Sequence, residues 1–508
     1  MSLPLTQPSP ARPSASGSGF RGHPRGLATL FMTEMWERFS YYGMRALLVF
    51  YLISGGHAGL TAHLPGGGLG MTLAAATAVY SVYLAVVYLM TMPGGWFADR
   101  VWGARRTVAV GGVIIVIGHF VLAVPGTAAF LIGLALVAIG SGLLKANVSA
   151  MVGHLYPRLD DPRRDGGFTL FYVGINIGSL LAPLVIGTVG ETVSWALAFI
   201  LSGVGMALGL AQYLSGTKHL AEASSRVPHP LSTAERRSLA RRTLAVLAVV
   251  AAFYTAVSAT GHYTLTWALL PLTVIGLAVP VAVLVRMKRD RNLTADEQAK
   301  LRGYIWLFVA AAVFWMIYDQ AGSTLLAFAK TSASATIGGF AVPGSWYQAL
   351  NPVFIIVLAP VFVWLWLHLA RRRRQASNAG KFGMGLLLIG VSFLVFLVPM
   401  HLASGGARVS PWWLVIIFLV QTLGELSLSP VGLSATTQLA PRKYCSQMMG
   451  VWFLAVTAGD SVTGLLSIAH VNLADTPAVA VEGAVAALAG LAVYLSRRGI
   501  SRLMGSAA

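Results

Sequence analysis

The chain has 508 residues, of which 56% are hydrophobic and 10% are charged, and its mean hydropathy is +0.72. Soluble proteins carry about 25% charged residues, so the composition excludes a soluble globular protein and predicts an all-α polytopic membrane protein. Long unbroken apolar runs, not short alternating ones, argue against a membrane β-barrel. The net charge of +19 does not indicate nucleic acid as a partner, because the basic residues lie between the apolar runs. The single cysteine, Cys445, cannot form a disulfide within the chain.

Residues 1–26 are rich in proline, serine and glycine, and we expect a disordered cytoplasmic tail and not a signal peptide. Apolar runs of about twenty residues, the length that crosses a bilayer, then recur in a pattern of six, two and six. The predicted spans are 27–54, 71–98, 105–124, 127–154, 168–189 and 193–216, then 238–258 and 263–286, then 303–329, 344–370, 381–401, 411–437, 447–468 and 476–497.

These fourteen spans predict a division of the chain into bundles. One six-helix bundle is expected over residues 27–216 and a second over 303–497. Residues 217–302 are predicted to contain cytoplasmic linkers and the two extra transmembrane helices. Residues 498–508 are predicted to form a second cytoplasmic tail.

The basic residues are distributed unequally between the two sides of the predicted protein. With the N-terminus inside, 31 of the 36 lysines and arginines lie in the tails and loops of the cytoplasmic side, and two, Lys330 and Arg408, lie outside. The remaining three, Arg38, Arg45 and Lys145, lie inside spans. By the positive-inside rule we expect both termini in the cytoplasm and the protein in the cell (inner) membrane.

The first span contains four charged residues, Glu34, Glu37, Arg38 and Arg45. A charge at mid-bilayer costs roughly 2.5–3.5 kcal/mol, so such residues usually face a partner or a water-filled cavity. On a helix, Glu34, Arg38, Tyr41 and Arg45 fall within about 60° of one another, and Glu37 lies about 40° further round. One face of this span therefore carries two carboxylates, two guanidinium groups and a phenol.

Charges in the later spans complement these cations. The first six spans supply the three buried cations, while the last six supply the acids Asp319, Glu425 and Asp460. A cavity between the bundles would be cationic on one wall and anionic on the other. That arrangement suits a solute with separated opposite charges. The role of Asp460 stays open between a protonated hydrogen-bond donor, a proton site and a lining acid.

The first-span motif at 34–43 (EMWERFSYYG) resembles the first helix of the proton-dependent oligopeptide transporter (POT) family within the major facilitator superfamily. The segments 168–179 (FTLFYVGINIGS), 314–323 (FWMIYDQAGS) and 424–432 (GELSLSPVG) resemble its fifth, seventh and tenth helices. The matches run from residue 27 to about 460 in the family's order. The resemblance implies the major facilitator fold, with twelve helices in two six-helix bundles and two extra helices between them.

The resemblance also implies how a peptide is bound. Arg38 and Lys145 are expected to hold its carboxylate, because a planar guanidinium binds a carboxylate in bidentate fashion and lysine adds a point charge. Glu425, Asn176 and Asn351 are expected to hold its ammonium group. Further residues implied at the substrate site are Tyr41, Tyr42, Arg45, Tyr88, Ser429 and Trp452. For the aromatic residues, ordinary helix packing is the alternative.

Proton coupling is expected at Glu34, Glu37, Arg38, Lys145 and Asp319. In this hypothesis, protonation of Glu34 or Glu37 from outside weakens its pairing with Arg38 and frees this cation for the peptide carboxylate. Loss of the proton inside restores the ion pair and displaces the peptide.

Two further features are candidate gates. Asp319 is expected to pair with Arg45 as an outer gate, or alternatively to approach Lys145. The loop after the second span, which contains Asp99 and Arg100, resembles the cytoplasmic gate motif of the superfamily. Its alternative is a turn whose basic residues only follow the charge rule.

The predicted function is a proton-coupled symporter that imports di- and tripeptides by alternating access and works as a monomer. The expected partners are peptides, protons and the lipid bilayer, with no metal or other cofactor. Alternatives are a same-fold transporter of nitrate, an amino-acid conjugate or a peptide-like drug, a drug–proton antiporter, and a non-transporting receptor. An enzyme is not expected, because no His/Asp/Cys grouping with suitable spacing appears.

Overall fold

The computed structural model describes residues 19–20, 22–55, 67–156, 161, 163–334, 336–337, 339–372 and 376–505, without the side chains of residues 445 and 446. The first 18 residues of the predicted tail 1–26 lie outside the described residues. The helices of the first half are α1 Arg25–Ile53, α2 Leu73–Leu89, α3 Thr91–Phe97, α4 Gly103–Leu122, α5 Thr127–His154, α6 Arg163–Ala182, α7 Thr188–Thr192 and α8 Trp195–Gly216.

The remaining helices are α9 Thr233–Ala259, α10 Leu265–Lys288, α11 Ala295–Tyr318, α12 Thr324–Thr331, α13 Leu350–Arg371, α14 Asn378–Ala403, α15 Trp412–Gln438, α16 Cys445–Ile468, α17 Thr476–Leu495 and α18 Arg497–Met504. A short antiparallel pair, β1 Thr336–Ile337 and β2 Phe340–Ala341, lies between α12 and α13.

Twelve segments of the described chain are long and apolar enough to cross a membrane. One of them, Leu73–Leu122, has 50 residues. At about 1.5 Å per residue it exceeds two bilayer thicknesses, so it makes two crossings. Gly103, where α4 begins, has a φ of 75°, which glycine adopts without strain. α1, whose charges lower its hydropathy, adds another crossing and completes the fourteen that the sequence predicts.

Besides the crossing formed by α2 and α3, which is interrupted at Met90, two crossings contain breaks in the regular α-helical hydrogen bonding. α6 continues through a π-helical turn, Pro183–Gly187, into α7, because proline has no N–H group to donate within a helix. α11 is followed by a single 3₁₀ turn, Asp319–Gly322, before α12. This turn places the acid Asp319 at the end of α11, inside the protein.

Glycines allow the helices of the first half to approach closely. Gly178 of α6 lies against the main-chain oxygen of Met35 in α1, and Gly142 of α5 lies against the main chain of Met90. A Cβ atom at either glycine would collide with these main-chain atoms, which cannot move away as a flexible side chain could. The contact with α6 therefore fixes the position of α1 and of its charged residues.

Each half of the protein has its own hydrophobic core. Buried side chains mostly of α11 to α18, with a few from α2 and α10, form one cluster that includes Phe314, Phe382 and Phe393. In α1 to α8, one buried cluster surrounds Phe199 and another surrounds Met206. The two halves are thus packed mainly within themselves, with a few residues such as Leu89 and Leu326 reaching the core of the other half. Arg45, Asp319 and Glu425 of the predicted site lie where the halves meet.

The two extra helices form a hairpin between the halves. In α9 only Val257 is buried, while α10 packs against α16, where Gly276 lies against Ser461. α9 begins at residue 233, earlier than the predicted span at 238, because Ser232 and Glu235 form a reciprocal capping box.

Polar contacts join the linker before α9 to the first half. The N–H groups of His229 and Leu231 donate hydrogen bonds to the carbonyl oxygens of Asp99 and Arg100 at 3.0 and 3.2 Å. The Arg100 guanidinium also pairs with Glu235 of α9 at 2.7 Å.

The linker after α10 is joined to the second half in the same manner. Asp290 accepts hydrogen bonds from Lys443 Nζ at 2.5 Å and from the Tyr444 hydroxyl at 2.6 Å. The N–H group of Arg442 donates to the Glu297 carboxylate at 3.1 Å. Each linker is therefore anchored on a different half.

The segment 498–508, predicted as a tail, is helical over most of its described part. Ile500 and Met504 of α18 are buried, and Met504 packs against Gly303 of α11. A spacing of four residues puts both side chains on one helix face. The sequence prediction missed this helix because the segment is short and basic.

The anchor at Asp290 should contribute to stability in a pH-dependent way. Hydrogen bonds from Lys443 and Tyr444 lower the pKa of the Asp290 carboxyl below its usual value. Because the folded-state pKa is depressed, the stabilisation is present above the unfolded-state pKa of about 3.9 and is lost as the pH falls toward the folded-state value. We expect Asp290→Asn to lower the midpoint of thermal unfolding in detergent near pH 7, and the difference to shrink below about pH 4.

The matched control is Glu222→Gln, which removes one partner of the exposed pair with Arg226. Exposed pairs contribute little, so its unfolding midpoint should stay close to that of the wild type. An unchanged unfolding midpoint in Asp290→Asn, or a decrease that does not vary with pH, would contradict a stabilising role of the Asp290 contacts.

Candidate functional site

The charged residues of α1 form a compact cluster inside the first half. Arg38 lies between two carboxylates, with Nε 2.9 Å from Glu34 Oε1 and Nη2 2.7 Å from Glu37 Oε2. All three side chains are at most 4% exposed. Ser141 of α5 donates a hydrogen bond to Glu37 at 3.4 Å. Burial strengthens electrostatic attraction, so both carboxylates hold Arg38 until one of them becomes neutral.

Lys145 of α5 lies beside the same cluster, against aromatic rings. Its Nζ atom is 3.9 Å from the ring centroid of Tyr88 and 5.7 Å from that of Tyr41. The guanidinium carbon of Arg38 lies 5.4 Å from the Tyr41 centroid. Cation–π contacts of this kind attract a desolvated cation by about 2 kcal/mol. The ammonium group is thus stabilised at the cluster without a carboxylate partner among the ion pairs of the described chain.

Arg45 near the other end of α1 joins the two halves. Its Nη2 donates to Asp319 Oδ1 at 2.6 Å, and its Nε donates to the hydroxyl of Tyr80 in α2 at 2.7 Å. On the same side, Glu191 accepts hydrogen bonds from two main-chain N–H groups before α13, at 3.1 and 2.7 Å, and pairs with Lys330 at 3.1 Å. The halves are therefore closed against each other on the side where α1 ends.

Glu425 of α15 lies in the second half with two hydrogen-bond donors. Tyr318 donates through its hydroxyl at 2.7 Å, and Asn351 donates through Nδ2 at 2.8 Å. The Asn351 amide also reaches Thr422 at 3.2 Å. These donors orient the carboxylate and leave it able to accept further hydrogen bonds from a positively charged group.

A cavity between the halves joins these features. Its lining includes the Arg45 and Asp319 side chains and extends to Glu425. Six residues predicted for the substrate site line it, namely Tyr42, Arg45, Tyr88, Asn176, Asn351 and Glu425. The cavity thus has a guanidinium on the first-half wall and carboxylates on the second-half wall.

Comparison with known proteins decides the family. The family model described as "PTR2: POT family" matches residues 105–479. The chain belongs to the POT family. A di-/tripeptide transporter of Lactococcus lactis subsp. cremoris is 42% identical over 494 residues, covering 96% of this chain and 97% of the relative. The uncharacterized transporter YclF of Bacillus subtilis is 41% identical over 493 residues, covering 97% of each chain.

Solved POT structures superpose along nearly the whole chain. A crystal structure of peptide transporter POT in complex with sulfate has a TM-score of 0.89 at 42% identity, covering 96% of this chain and 97% of that one. A POT family transporter in complex with 5-aminolevulinic acid has a TM-score of 0.88 at 33% identity, covering 95% and 98%. This POT protein therefore has the major facilitator fold, as predicted, and it is a multi-pass membrane transporter and not an enzyme.

Five residues predicted for the substrate site do not line this cavity. Arg38, Tyr41 and Lys145 lie in the α1 cluster, next to the lining residue Tyr88. Ser429 is one turn beyond Glu425, and its hydroxyl has no hydrogen-bond partner among the described residues.

The fifth, Trp452 of α16, is 3% exposed. Its ring packs over Gly432 and lies edge-on to Phe382 with a centroid distance of 6.3 Å. In this conformation of the POT protein, Trp452 is part of the packing between α15 and α16.

Several lining residues were missed by the sequence prediction. Their positions are related to those of predicted residues. Four of them lie three or four residues before a predicted residue, on the same helix face, and one lies directly before a predicted residue. They are Tyr172 before Asn176, Tyr318 before Asp319, Gln348 before Asn351, and Gln421 and Thr422 before Glu425. Both polar side-chain atoms of Gln421 have no hydrogen-bond partner in the described chain.

The opposite end of the site is near the chain termini. There the predicted inner gate residues Asp99 and Arg100 contact the linker before α9 and Glu235. Ser149 near the end of α5 and Ser434 near the end of α15 are exposed on this side. Among the described residues, no group of three or more His, Cys, Asp and Glu side chains could hold a metal ion.

Removing only one partner of the buried Arg45–Asp319 pair should destabilise the protein more than removing both partners. Asp319→Asn leaves Arg45 buried without a compensating charge, so we expect the free energy of unfolding to fall by about 3–5 kcal/mol. The double variant Arg45→Gln/Asp319→Asn should recover part of this loss. Denaturant unfolding in mixed micelles of the single and double variants measures the coupling.

Arg100→Gln is the control, since it breaks the half-exposed pair with Glu235 and should cost at most about 1 kcal/mol. Strictly additive losses at Arg45 and Asp319 would refute a direct interaction across the halves.

Proposed function

We propose that this POT protein imports di- and tripeptides together with protons by alternating access. It lies in the cell (inner) membrane with both termini in the cytoplasm, and it works as a monomer with protons as the coupling ion and no other cofactor. The single observation that carries the proposal is the buried pairing of Arg38 with both Glu34 and Glu37. This cluster lies next to Tyr88, which lines the cavity that extends to Glu425. The relative from Lactococcus lactis, named a di-/tripeptide transporter, supports peptides as the substrate class.

The first-half wall of the site binds the peptide carboxylate. Arg38 provides a planar guanidinium and Lys145 provides an ammonium group. The pairing of Arg38 with two carboxylates means that a peptide carboxylate competes with Glu34 and Glu37 for the same donors. Substrate binding is therefore linked to the charge state of these two acids.

The second-half wall binds the peptide ammonium group. The Glu425 carboxylate is already oriented by Tyr318 and Asn351, so little reorganisation is needed when the ammonium arrives. Asn176 lines the first-half side of the same cavity and adds an amide oxygen. Tyr42 and Tyr88 provide apolar surface for the peptide side chains.

Protonation couples the gradient to this binding. A proton that enters from outside neutralises Glu34 or Glu37 and removes one of the two attractions on Arg38. The released guanidinium then binds the peptide carboxylate. After the site opens to the cytoplasm, loss of the proton restores the ion pair, which displaces the peptide.

The two ends of the site open in turn. The Arg45–Asp319 pair and the Glu191 contacts close the outer side, while Asp99 and Arg100 belong to the inner gate. Each half has its own packed core, so the halves rock as units and exchange one set of contacts for the other. A membrane potential contributes about 2.3 kcal/mol per charge and 100 mV to this cycle.

A second candidate substrate is a small amino acid conjugate or related zwitterion. It is favoured by the solved POT family transporter at 33% identity that holds 5-aminolevulinic acid. Such a ligand also carries one ammonium and one carboxylate group. Competition between labelled dipeptide and 5-aminolevulinic acid in the same uptake assay decides between the two.

The role of Glu37 in proton coupling can be tested by Glu37→Gln. The amide fixes the neutral state, so uptake driven by an inward pH gradient should be abolished while peptide counterflow is partly retained. Uptake of a labelled dipeptide into proteoliposomes, with and without the gradient, measures both. Glu482→Gln removes another buried acid, bound to Gln320 at 2.7 Å in the second half, and should keep driven uptake. Unchanged gradient-driven uptake by Glu37→Gln would contradict the assignment of Glu37 as a proton-coupling residue.

The role of Glu425 can be tested with blocked peptides. Loss of a charge-assisted hydrogen bond should reduce the affinity of Glu425→Ala for free-amine dipeptides by about 10–100-fold. N-blocked analogues cannot form this ion pair and should lose much less. Tyr318→Phe removes one neutral donor and should show a smaller loss, about 3–10-fold. Equal losses for free and blocked peptides in Glu425→Ala would argue against amine recognition there.

A further inference from the structure

Asp460 of α16 is a buried acid that the proposed transport cycle does not use. Its side chain is 1% exposed. In the described part of the chain its Oδ2 atom has no hydrogen-bond partner, and the ion pairs found there do not include it. A buried carboxylate without a partner is far costlier as an anion than as a neutral acid.

The neighbours of Asp460 along α16 fix the direction in which it faces. Three residues before it, Thr457 donates a hydrogen bond to the carbonyl oxygen of Ala85 in α2 at 3.2 Å. Three residues after it, Thr463 donates to the carbonyl oxygen of Met316 in α11 at 3.2 Å. Residues at i−3 and i+3 flank one helix face, so Asp460 lies on the face between α2 and α11.

The charges that act on Asp460 are those of the outer gate. The two helices that Asp460 faces carry this gate, because Tyr80 of α2 accepts a hydrogen bond from Arg45 and Asp319 directly follows α11. α10 packs on another side of α16 and has no charged residue between 265 and 285. On α15, the carboxylate of Glu425 is held by Tyr318 and Asn351.

One guanidinium therefore faces two carboxylates. Arg45 already donates to Asp319 and to Tyr80. We propose that Asp460 and Asp319 form a two-carboxylate proton site, in which Asp460 holds a proton while Asp319 is paired with Arg45. This inference rests on the proposed function, since it adds a proton site to a proton-driven transporter. The proton comes from water, binds to Oδ2 and returns to water, and no other bond forms or breaks.

Opening of the outer gate changes the proton affinity of the pair. Arg45 belongs to the first half, whereas Asp319 and Asp460 belong to the second. When the halves separate on this side, the guanidinium leaves two neighbouring carboxylates that cannot both ionise easily. The pair therefore holds its proton more tightly in the outward-open state, where the two acids share it, than in the closed state.

The pH dependence of uptake tests the site. In Asp460→Asn, Asp319 has lost its neighbouring acid and binds a proton only at higher proton concentration. Half-maximal dipeptide uptake by proteoliposomes should shift to lower pH by about one unit, a tenfold change in proton concentration. Asp460→Glu keeps a carboxyl group and should restore the wild-type profile. Glu482→Gln, which removes a buried acid bound by Gln320, should leave the profile unchanged.

A second measurement does not depend on transport. Infrared spectra of the purified wild-type protein at neutral pH should contain the C=O stretching band of a protonated carboxylic acid. Asp460→Asn should remove this band, and Asp460→Glu should shift it. If Asp460→Asn does not fold, the shifted band of Asp460→Glu decides the assignment.

The outcomes separate this inference from the proposed function. The proton site is overturned if Asp460→Asn keeps the wild-type pH profile or if Glu482→Gln shifts the profile equally. It is also overturned if neither Asp460→Asn nor Asp460→Glu changes the infrared band. If the wild type takes up no peptide but Asp460→Asn still removes the band, peptide transport is refuted and the proton site is supported.

Discussion

The structure depends on the rule that a charge inside an apolar bundle needs a partner. Arg38 has Glu34 and Glu37 within its own helix, whereas Arg45 has to reach Asp319 in the other half. The first pairing is local and survives any movement of the halves. The second exists only while the outer side is closed. In the proposed transport cycle, the same physical requirement therefore builds a binding site in one place and a gate in the other.

Helix packing determines where these charged residues lie. Gly178 brings the main chain of α1 against α6, and the 3₁₀ turn at 319–322 sets the end of α11. A charge on α1 is thus placed by a helix contact that involves no polar side chains. Asp319 is placed by a break in the helix that carries it. Neither position is set by the ion pair itself, so loss of a partner leaves a charge that cannot move to water.

The sequence was sufficient for the features that repeat or are local. Apolar length predicted the fourteen crossings, and the helical angle put the charges of α1 on one face. Among contacts between distant segments, the pair of Arg45 and Asp319 was predicted with the help of the family resemblance, but the anchors of the linkers were not predictable. The anchors of Arg100 on Glu235 and of Asp290 on Lys443 join polar residues in loops, where no periodicity restricts pairing. Trp452 could not be assigned either, because an aromatic side chain packs equally well against a helix or a cavity.

The two anchored linkers make the α9–α10 hairpin a tether between moving parts. One end is tied beside Arg100 on the first half, and the other is tied at Asp290 to the loop before α16 on the second half. Both ties lie on the side where α1 begins, which the proposed transport cycle assigns to the cytoplasm. In the proposed transport cycle, the halves therefore cannot separate on this side further than the hairpin and its linkers reach. The extra helices thereby limit the inward-open state of that cycle without contributing to the proposed substrate site.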